Sequence, residues 1–293
     1  MNIGLGTVQF GMRYGVTNQN GVPSPDEIAQ ILELAAEKGL RTLDTASLYG
    51  ESEAALGRCL PSGHSFSIVT KTAKFKECRT DSEKKKLLEE SFDRSLSLLK
   101  QDSVEALLFH DPDDLMGAGD QIYQAALQFK KQGRVKKVGV SVYTSQQIET
   151  LMQRYPLDIV QLPINVLDQR LIQTGALSLL KKKGIEIHAR SAFLQGVLLE
   201  EPRRLPSYFD SVRSHLEKMH EEMRASGFDR LQTALGFLST LQELDCVLVG
   251  VSSKAELAGI LQAFEKRPKQ EINYKKFLFN DESILNPSVW KLG

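Results

Sequence analysis

Short, continuously apolar runs recur along the chain at regular intervals. Continuous runs of this kind are typical of parallel strands that are covered on both faces, whereas a half-exposed strand alternates apolar and polar residues. The pattern therefore predicts eight buried parallel strands. Their runs are IGLGTV near residue 3, RTLDTA near 41, FSIVTK near 66, VEALLFH near 104, VKKVGVS near 135, LDIVQLP near 157, IEIHARS near 185 and CVLVGVS near 246.

Amphipathic segments separate these runs, and residues 26–38 are the clearest example. Their apolar side chains recur at helical spacing, so one face of the segment is apolar. Ser24 or Pro25 is predicted to start this helix and Gly39 to end it. The same pattern predicts helices over residues 82–100, 119–132, 145–154, 171–183, 229–243 and 254–266.

A strand followed by a helix, repeated along the chain, predicts consecutive βαβ units. Eight such units with right-handed crossovers can close into a (β/α)8 TIM barrel, for which about 250 residues in one domain is typical. We therefore predict a single barrel domain over residues 1–293, with a doubly wound open sheet as the alternative. The early glycines Gly4, Gly6 and Gly11 lack the spacing of a dinucleotide fingerprint, which favours a turn.

Two stretches depart from the repeat. Residues 196–228 are too long for a simple loop and include a helical pattern over residues 208–224. We expect this insertion to lie over one rim of the barrel and to cover a bound ligand. The tail, residues 268–293, is expected to pack outside the barrel or across its edge, with Trp290 as a packing anchor.

Charge and composition narrow the function classes. Lys plus Arg and Asp plus Glu number 37 each, so no net field would attract nucleic acid or an anionic membrane. The three cysteines are widely spaced and have no nearby histidine at metal-ligand spacing, which predicts reduced thiols and no metal site. No secretory pattern or bilayer-length apolar stretch is seen, so a cytoplasmic protein that acts on small molecules is expected.

Polar residues at the ends of three successive strands are the candidate catalytic residues. They are Asp44, Tyr49, Lys71 and His110, and the barrel would bring them to one mouth. Each alone could be a helix cap, a surface lysine or a core histidine. Together they predict a proton donor: a tyrosine beside a lysine held by a carboxylate, with a histidine to orient a carbonyl group. Because no side chain delivers hydride, a nicotinamide cofactor would be needed.

The segments GLRTLDTASLYGESEAALG, VTK and LLFHD resemble the aldo-keto reductase superfamily in residue types and order, over roughly residues 1–265. The resemblance implies NAD(P)H-dependent reduction of an aldehyde or ketone, with Tyr49 as general acid assisted by Lys71, Asp44 and His110. It also implies a set of cofactor-binding residues. These are Thr7, Ser141, Gln161, Arg190, Ser191, Gly250, Ser252, Ser253 and Lys254.

Several positions depart from the family pattern. Val142 replaces an asparagine that usually contacts the nicotinamide amide, and Arg190 stands where an aromatic residue usually stacks on the ring. Glu256 replaces a basic residue that often contacts the 2′-phosphate, and the adenine-side pair is Gly259 and Ile260. NADP(H) is the expected cofactor, with NAD(H) as the alternative favoured by the Glu256 charge.

Two other functions fit parts of the pattern. Lysines at barrel strand ends also form Schiff bases, so Lys71 could serve an aldolase, although that leaves the Asp44 and Tyr49 spacing unexplained. The altered cofactor positions would also suit a non-catalytic nucleotide-binding barrel that acts as a sensor or regulatory subunit. For the reductase, Arg190 indicates a bulky or anionic carbonyl substrate such as a sugar derivative.

Overall fold

Eight parallel strands pair in chain order, and the last pairs with the first. Leu5 lies opposite Val249 across this closing pair, so the sheet is a barrel and the open-sheet alternative is wrong. The computed structural model describes residues 2–117, 119–269 and 272–291. The predicted (β/α)8 TIM barrel is confirmed. Its strands are β1 Asn2–Gly6, β2 Thr42–Asp44, β3 Ser67–Lys71, β4 Val104–Phe109, β5 Val135–Ser141, β6 Ile159–Pro163, β7 Glu186–Arg190 and β8 Cys246–Gly250.

Helices connect the strands and cover the barrel. All eight predicted strands and most predicted helices are present within a few residues of their expected bounds. The helices are α1 Pro25–Glu37, α2 Ser52–Cys59, α3 Asp81–Leu99, α4 Asp113–Met116, α5 Asp120–Lys131, α6 Ser145–Arg154, α7 Arg170–Gln173, α8 Ala176–Lys182, α9 Asp210–Ala225, α10 Arg230–Ser239, α11 Lys254–Glu265 and α12 Glu282–Leu285.

The starts of several helices are fixed by local side-chain caps. The Ser24 hydroxyl accepts a hydrogen bond from the Glu27 amide at 3.2 Å, Pro25 is the first residue of α1, and Gly39 follows the helix with φ of +76°. Reciprocal capping boxes start α3, α6 and α10. The side chain and the amide that form each cap lie within a few residues of each other in the chain. Helix starts of this kind could therefore be predicted from the sequence.

Two helix predictions need correction, and a further helix was missed. The predicted helix over residues 171–183 is two helices, α7 and α8, because Gly175 adopts a left-handed backbone with φ of +74° between them. The helix predicted over residues 229–243 ends at Ser239. Helix α2 was not predicted, because its short segment buries the polar residues Ser52 and Glu53 and so lacks a clear apolar stripe.

Apolar residues fill both the inside of the barrel and the layer between strands and helices. Val69, Ala106, Leu108 and Ile159 form a separate small cluster of strand side chains. Because side chains alternate along a strand, Lys71 points to the same side of β3 as Val69. Lys71 is therefore carried above this inner cluster, where it is 1% exposed.

The insertion and the tail pack against each other outside the barrel. His215 of α9 donates a hydrogen bond from Nε2 to the Phe277 carbonyl at 2.9 Å. Trp290 lies edge-on to Phe209 at 5.0 Å between ring centroids, and its indole donates to the Ile284 carbonyl at 3.1 Å. The anchor role predicted for Trp290 is confirmed; residues 270, 271, 292 and 293 of the predicted tail lie outside the described residues.

The three cysteines Cys59, Cys78 and Cys246 are free. In the described ranges, no helix has both the length and the apolar character needed to cross a membrane.

Two glycines in helices provide a matched test of the packing. An added Cβ at Gly57 of α2 would lie 2.0 Å from the Leu98 carbonyl of α3, whereas a Cβ at Gly259 of α11 would meet nothing within 4 Å. We expect Gly57→Ala to lower the free energy of unfolding by about 1–3 kcal/mol through overpacking. Gly259→Ala should raise it by about 0.5–1 kcal/mol through helix propensity. Urea unfolding followed by circular dichroism measures both, and equal effects of the two variants would contradict the packing.

Candidate active site

The carboxyl ends of the strands surround a cavity of about 760 Å³. Ligand sites are typically about 300–1,000 Å³, and barrel enzymes place theirs at this face. Segments that follow six of the eight strands line the cavity, together with Gln161 within β6. Its principal polar side chains are Thr7, Gln9, Tyr14, Asp44, Tyr49, His110, Ser141, Tyr143, Gln161, Arg190, Ser191, Ser252 and Glu256.

A buried ion pair lies at the base of this site. Lys71 Nζ donates to Asp44 Oδ2 at 2.7 Å and to the Thr45 carbonyl at 2.8 Å. Gln161 Nε2 donates to the other carboxylate oxygen, Asp44 Oδ1, at 2.7 Å. Burial lowers the pKa of Lys71, and the Asp44 carboxylate opposes that change. The predicted pairing of Asp44 with Lys71 is present, and both side chains are held by several strands at once.

Tyr49 lies directly beside this pair. Lys71 Nζ is 4.8 Å from the centroid of the Tyr49 ring, and the His110 ring meets it edge-on with 5.7 Å between centroids. Burial raises the pKa of Tyr49, and the Asp44 charge adds to that effect. The phenol therefore keeps its proton at neutral pH, which is the form that a proton donor needs.

His110 is held in its neutral form. Burial, followed by the charges of Lys71, Arg190 and Lys74, lowers the pKa of His110 to about 3. Its amide donates to Thr72 Oγ1 at 3.2 Å, which fixes the end of β4. A neutral imidazole has one donor and one acceptor nitrogen, so it can hydrogen bond a carbonyl oxygen without adding charge.

Thr7 lines the cavity, but its hydroxyl serves the scaffold. Thr7 Oγ1 donates to the Asp44 carbonyl at 3.0 Å. Ser52 Oγ, at the start of the unpredicted helix α2, donates to the Thr7 carbonyl at 2.7 Å and lies 3.0 Å from Thr45 Oγ1. These buried hydroxyl groups tie the ends of β1 and β2 together. They hold the backbone that carries Asp44.

The segment after β7 forms one wall of the cavity. Ser191 has a φ of +60°, and Leu194 and Gln195 also adopt the left-handed backbone region. Such conformations persist only when neighbouring groups hold them. Asn165 Nδ2 donates to the Ser191 carbonyl at 3.1 Å, and the Val16 amide donates to the Gln195 carbonyl at 3.0 Å. The second contact joins the segment after β1 to the segment after β7.

The expected cover is only partly formed by the insertion. Residues 195, 196 and 199 line the cavity, together with Leu231 of α10. No described residue of α9 is among the lining residues, because α9 packs against α10 and the tail instead. The cover is therefore the short segment that begins at Ser191.

The site residues predicted after β8 separate into two groups. Gly250 and Ser252 line the cavity, whereas Ser253 and Lys254 do not. Ser253 caps α11 by accepting from the Glu256 amide at 3.1 Å. Two further backbone amides at this helix start donate hydrogen bonds to carboxylates. The Ser252 amide donates to Glu256 Oε2 at 2.7 Å, and the Lys254 amide donates to Glu27 Oε1 at 2.6 Å. The predicted phosphate-binding helix start thus carries two negative charges.

Several lining residues were absent from the prediction, among them Gln9, Tyr14 and Tyr143. Gln9 and Tyr14 follow β1, and Tyr143 follows β5, so their positions just after barrel strands are the signal that could have identified them. Burial raises the pKa of Tyr14 to about 12, and the nearby Tyr49 adds to the shift.

The cavity is suited to a polar organic ligand. Three buried polar atoms of its lining have no hydrogen-bond partner within the described chain: Gln9 Oε1, His110 Nδ1 and Arg190 Nε. Buried polar atoms are normally paired, so a ligand that pairs them would relieve an energetic cost. The residues fit a nicotinamide dinucleotide in this respect. Over the described ranges, no group of three or more His, Cys, Asp or Glu side chains could hold a metal ion.

Comparisons with known proteins find oxidoreductases of similar sequence and an aldo-keto reductase of the same fold. The chain is 27% identical to oxidoreductase YdhF of Escherichia coli over 222 residues, which cover 71% of this chain and 72% of that protein. It is 28% identical to the uncharacterized oxidoreductase YtbE of Bacillus subtilis over 62% of this chain and 64% of that protein. The aldo-keto reductase AKR11C1 from Bacillus halodurans has the same fold, with a TM-score of 0.74, 19% identity and 99% and 94% of the two chains covered.

A family model also matches nearly the whole chain. The model described as the aldo/keto reductase family matches residues 2–276, which include every strand of the barrel and every residue of the candidate site. The chain therefore belongs to the aldo/keto reductase family of NAD(P)H-dependent oxidoreductases.

Proposed function

We propose that this enzyme reduces the carbonyl group of a small aldehyde or ketone to an alcohol, with Tyr49 as the proton donor. The observation that carries the proposal is the contact of the Tyr49 ring with both the buried Lys71–Asp44 pair and the His110 ring. All of these groups except Lys71 line the same cavity. A nicotinamide cofactor, when bound, supplies the hydride that no side chain can give.

Each residue has a distinct part in the proposed reaction. His110 donates a hydrogen bond to the carbonyl oxygen and orients it, since the neutral ring does not compete as an acid. Tyr49 transfers its proton to that oxygen as negative charge develops there. The Lys71 ammonium, 4.8 Å from the Tyr49 ring centroid, stabilises the phenolate that remains until solvent returns a proton.

Lining residues between the reacting centre and β8 would hold the cofactor. Ser141 and Gln161 offer polar groups to the nicotinamide amide, although Gln161 Nε2 is already bonded to Asp44 and so leaves its carbonyl oxygen. Ser191 lies beside them on the wall of the cavity, and Gly250 and Ser252 line its far end. These residues form one continuous surface from the proton donor to the start of α11.

Contacts at α11 support NAD(H) over NADP(H), the reverse of the order that the family resemblance favoured. The carboxylates of Glu256 and Glu27 occupy the amides that would otherwise face an anion. A 2′-phosphate there would be repelled, whereas ribose hydroxyl groups can donate to a carboxylate.

The ion pair also bears on the aldolase alternative. Lys71 Nζ donates to a carboxylate and to a backbone carbonyl, and the side chain is 1% exposed. A charged amine held in this way is a poor nucleophile, because Schiff-base formation needs an accessible, unprotonated nitrogen. The proposed carbonyl reduction instead uses Lys71 as a charged amine paired with Asp44.

Replacing Tyr49 with phenylalanine tests the proton donor. We expect Tyr49→Phe to lower kcat for carbonyl reduction by at least about a hundredfold, since general acid catalysis contributes about 10²–10⁴-fold. Nicotinamide fluorescence titration should give a cofactor Kd within about twofold of the wild type, because the ring is retained. Tyr123→Phe is the matched control; its hydroxyl donates to the Pro156 carbonyl outside the cavity, so reduction should persist. Full activity of Tyr49→Phe would contradict the assignment.

The lowered pKa of His110 makes stability depend on pH. The unfolded chain takes up a proton near pH 6.5, whereas the folded protein does not until about pH 3, so stability falls as pH drops through this window. From pH 7 to pH 5 the loss from this group is on the order of 2 kcal/mol. His110→Gln should lose that part of the slope in urea unfolding at the two pH values. Identical slopes for both proteins would contradict a neutral buried His110.

Substitution of Glu256 tests the cofactor preference. We expect NADH to bind the wild type more tightly than NADPH in a fluorescence titration. Glu256→Gln retains a cap acceptor but removes a charge, and should improve NADPH binding relative to NADH by about fivefold, or about 1 kcal/mol. Glu265→Gln, at the exposed far end of α11, should change neither Kd. Tighter wild-type binding of NADPH would refute the preference.

A further inference from the structure

Arg190 brings an unbalanced positive charge into the cavity. Arginine stays protonated at all accessible pH values. Among the charged lining residues of the described chain, Asp44 is paired with Lys71, and Glu256 caps the Ser252 amide. Within the described ranges no carboxylate lies within salt-bridge distance of Arg190, whereas the Asp44 carboxylate of the lining is paired with Lys71.

The Arg190 guanidinium also has hydrogen-bond donors without a partner in the described chain. Nη2 donates to the Val142 carbonyl at 3.1 Å, and the group lies over the Tyr143 ring with Cζ 4.3 Å from the centroid. Nε is buried and has no partner in the described chain. An arginine carries five N–H donors in a planar fork that matches an oxyanion. The stacking on Tyr143 holds this fork in place before any ligand binds.

The position of Arg190 points to the reacting centre. It ends β7, and its partner Tyr143 follows β5, so both lie on the wall shared with Ser141 and Gln161. Burial raises the pKa of Tyr49 and lowers that of His110, and the Arg190 charge acts on both groups in the lowering direction. Glu256 lies at the far end of the cavity, in the first turn of α11, where its carboxylate and that of Glu27 accept hydrogen bonds from backbone amides. The uncompensated cation is thus near the carbonyl site.

We propose that Arg190 binds an oxyanion, a carboxylate or phosphate, on the substrate itself, so that the enzyme prefers anionic carbonyl compounds. This inference rests on the proposed carbonyl reduction and names the substrate class for that site. A cofactor phosphate could supply the same chemistry, and the experiment below separates the two sources. The arginine acts as a binding residue that fixes where the carbonyl group lies relative to Tyr49.

The test compares aldehydes that differ only in charge. Glyoxylate, succinic semialdehyde and 4-formylbenzoate vary the spacing between carbonyl and carboxylate, and each is paired with its neutral primary amide. We expect kcat/KM for at least one carboxylate to exceed that for its amide by at least about tenfold, as charge-assisted hydrogen bonds allow. In Arg190→Met this ratio should fall at least about tenfold, and Arg190→Lys should retain an intermediate ratio because it keeps the charge but not the fork.

Two binding measurements complete the test. If Arg190→Met weakens NADH and NADPH binding more than about tenfold while the carboxylate-to-amide ratio is unchanged, the arginine holds a cofactor phosphate and the proposal is overturned. Equal kcat/KM within all three wild-type pairs also overturns it. If no aldehyde is reduced, the proposed function fails by itself. Calorimetric titration with benzoate and benzamide then tests the anion site. Tighter binding of benzoate than of benzamide, lost in Arg190→Met, would support the anion site. Equal binding of the two compounds to the wild type would overturn the proposal.

Discussion

The buried Lys71–Asp44 ion pair is the interaction on which the rest of the site depends. Removing two charges from water costs several kcal/mol for each ion, and only close pairing with further hydrogen bonds offsets that cost. Here the Thr45 carbonyl and the Gln161 amide supply those bonds, at 2.8 and 2.7 Å. The four groups come from the ends of three strands, so the pair is stable only when the barrel is closed.

From this pair the electrostatic character of the cavity follows. The Lys71 and Asp44 charges oppose each other, so burial is the main effect on the pKa values of Tyr49 and His110, and it favours the neutral form of each. In the proposed reaction both therefore act as neutral hydrogen-bond donors. Arg190 differs from these groups, because its charge has no carboxylate partner in the described chain and its Nε has no hydrogen-bond partner there. Stacking on the Tyr143 ring fixes its position. A reaction that creates negative charge on an oxygen atom benefits from such an arrangement.

The opposite end of the barrel carries its polar residues in a different way. There His188 donates to Glu186 at 2.8 Å, and Lys137 joins Glu186 and Glu105 at 2.6 and 2.9 Å. The hydrogen bond from His188 and the contact with Lys137 lower the pKa of Glu186 to about 2. Every charge of this network has its partner. That is typical of the amino-terminal face of a barrel, which serves stability, whereas the carboxyl-terminal face keeps groups free for ligands.

The sequence by itself determined the eight strands, their order and the positions of Asp44, Tyr49, Lys71 and His110, because apolar periodicity and strand ends are local properties. It did not reveal helix α2, because the buried polar residues Ser52 and Glu53 interrupt the apolar pattern of that helix. Only the tertiary structure decided which charges are balanced. Gln161 reaches Asp44 across 117 residues, and Glu27 reaches the Lys254 amide across 227. Charge compensation depends on neighbours in space, and barrel closure brings these distant segments together.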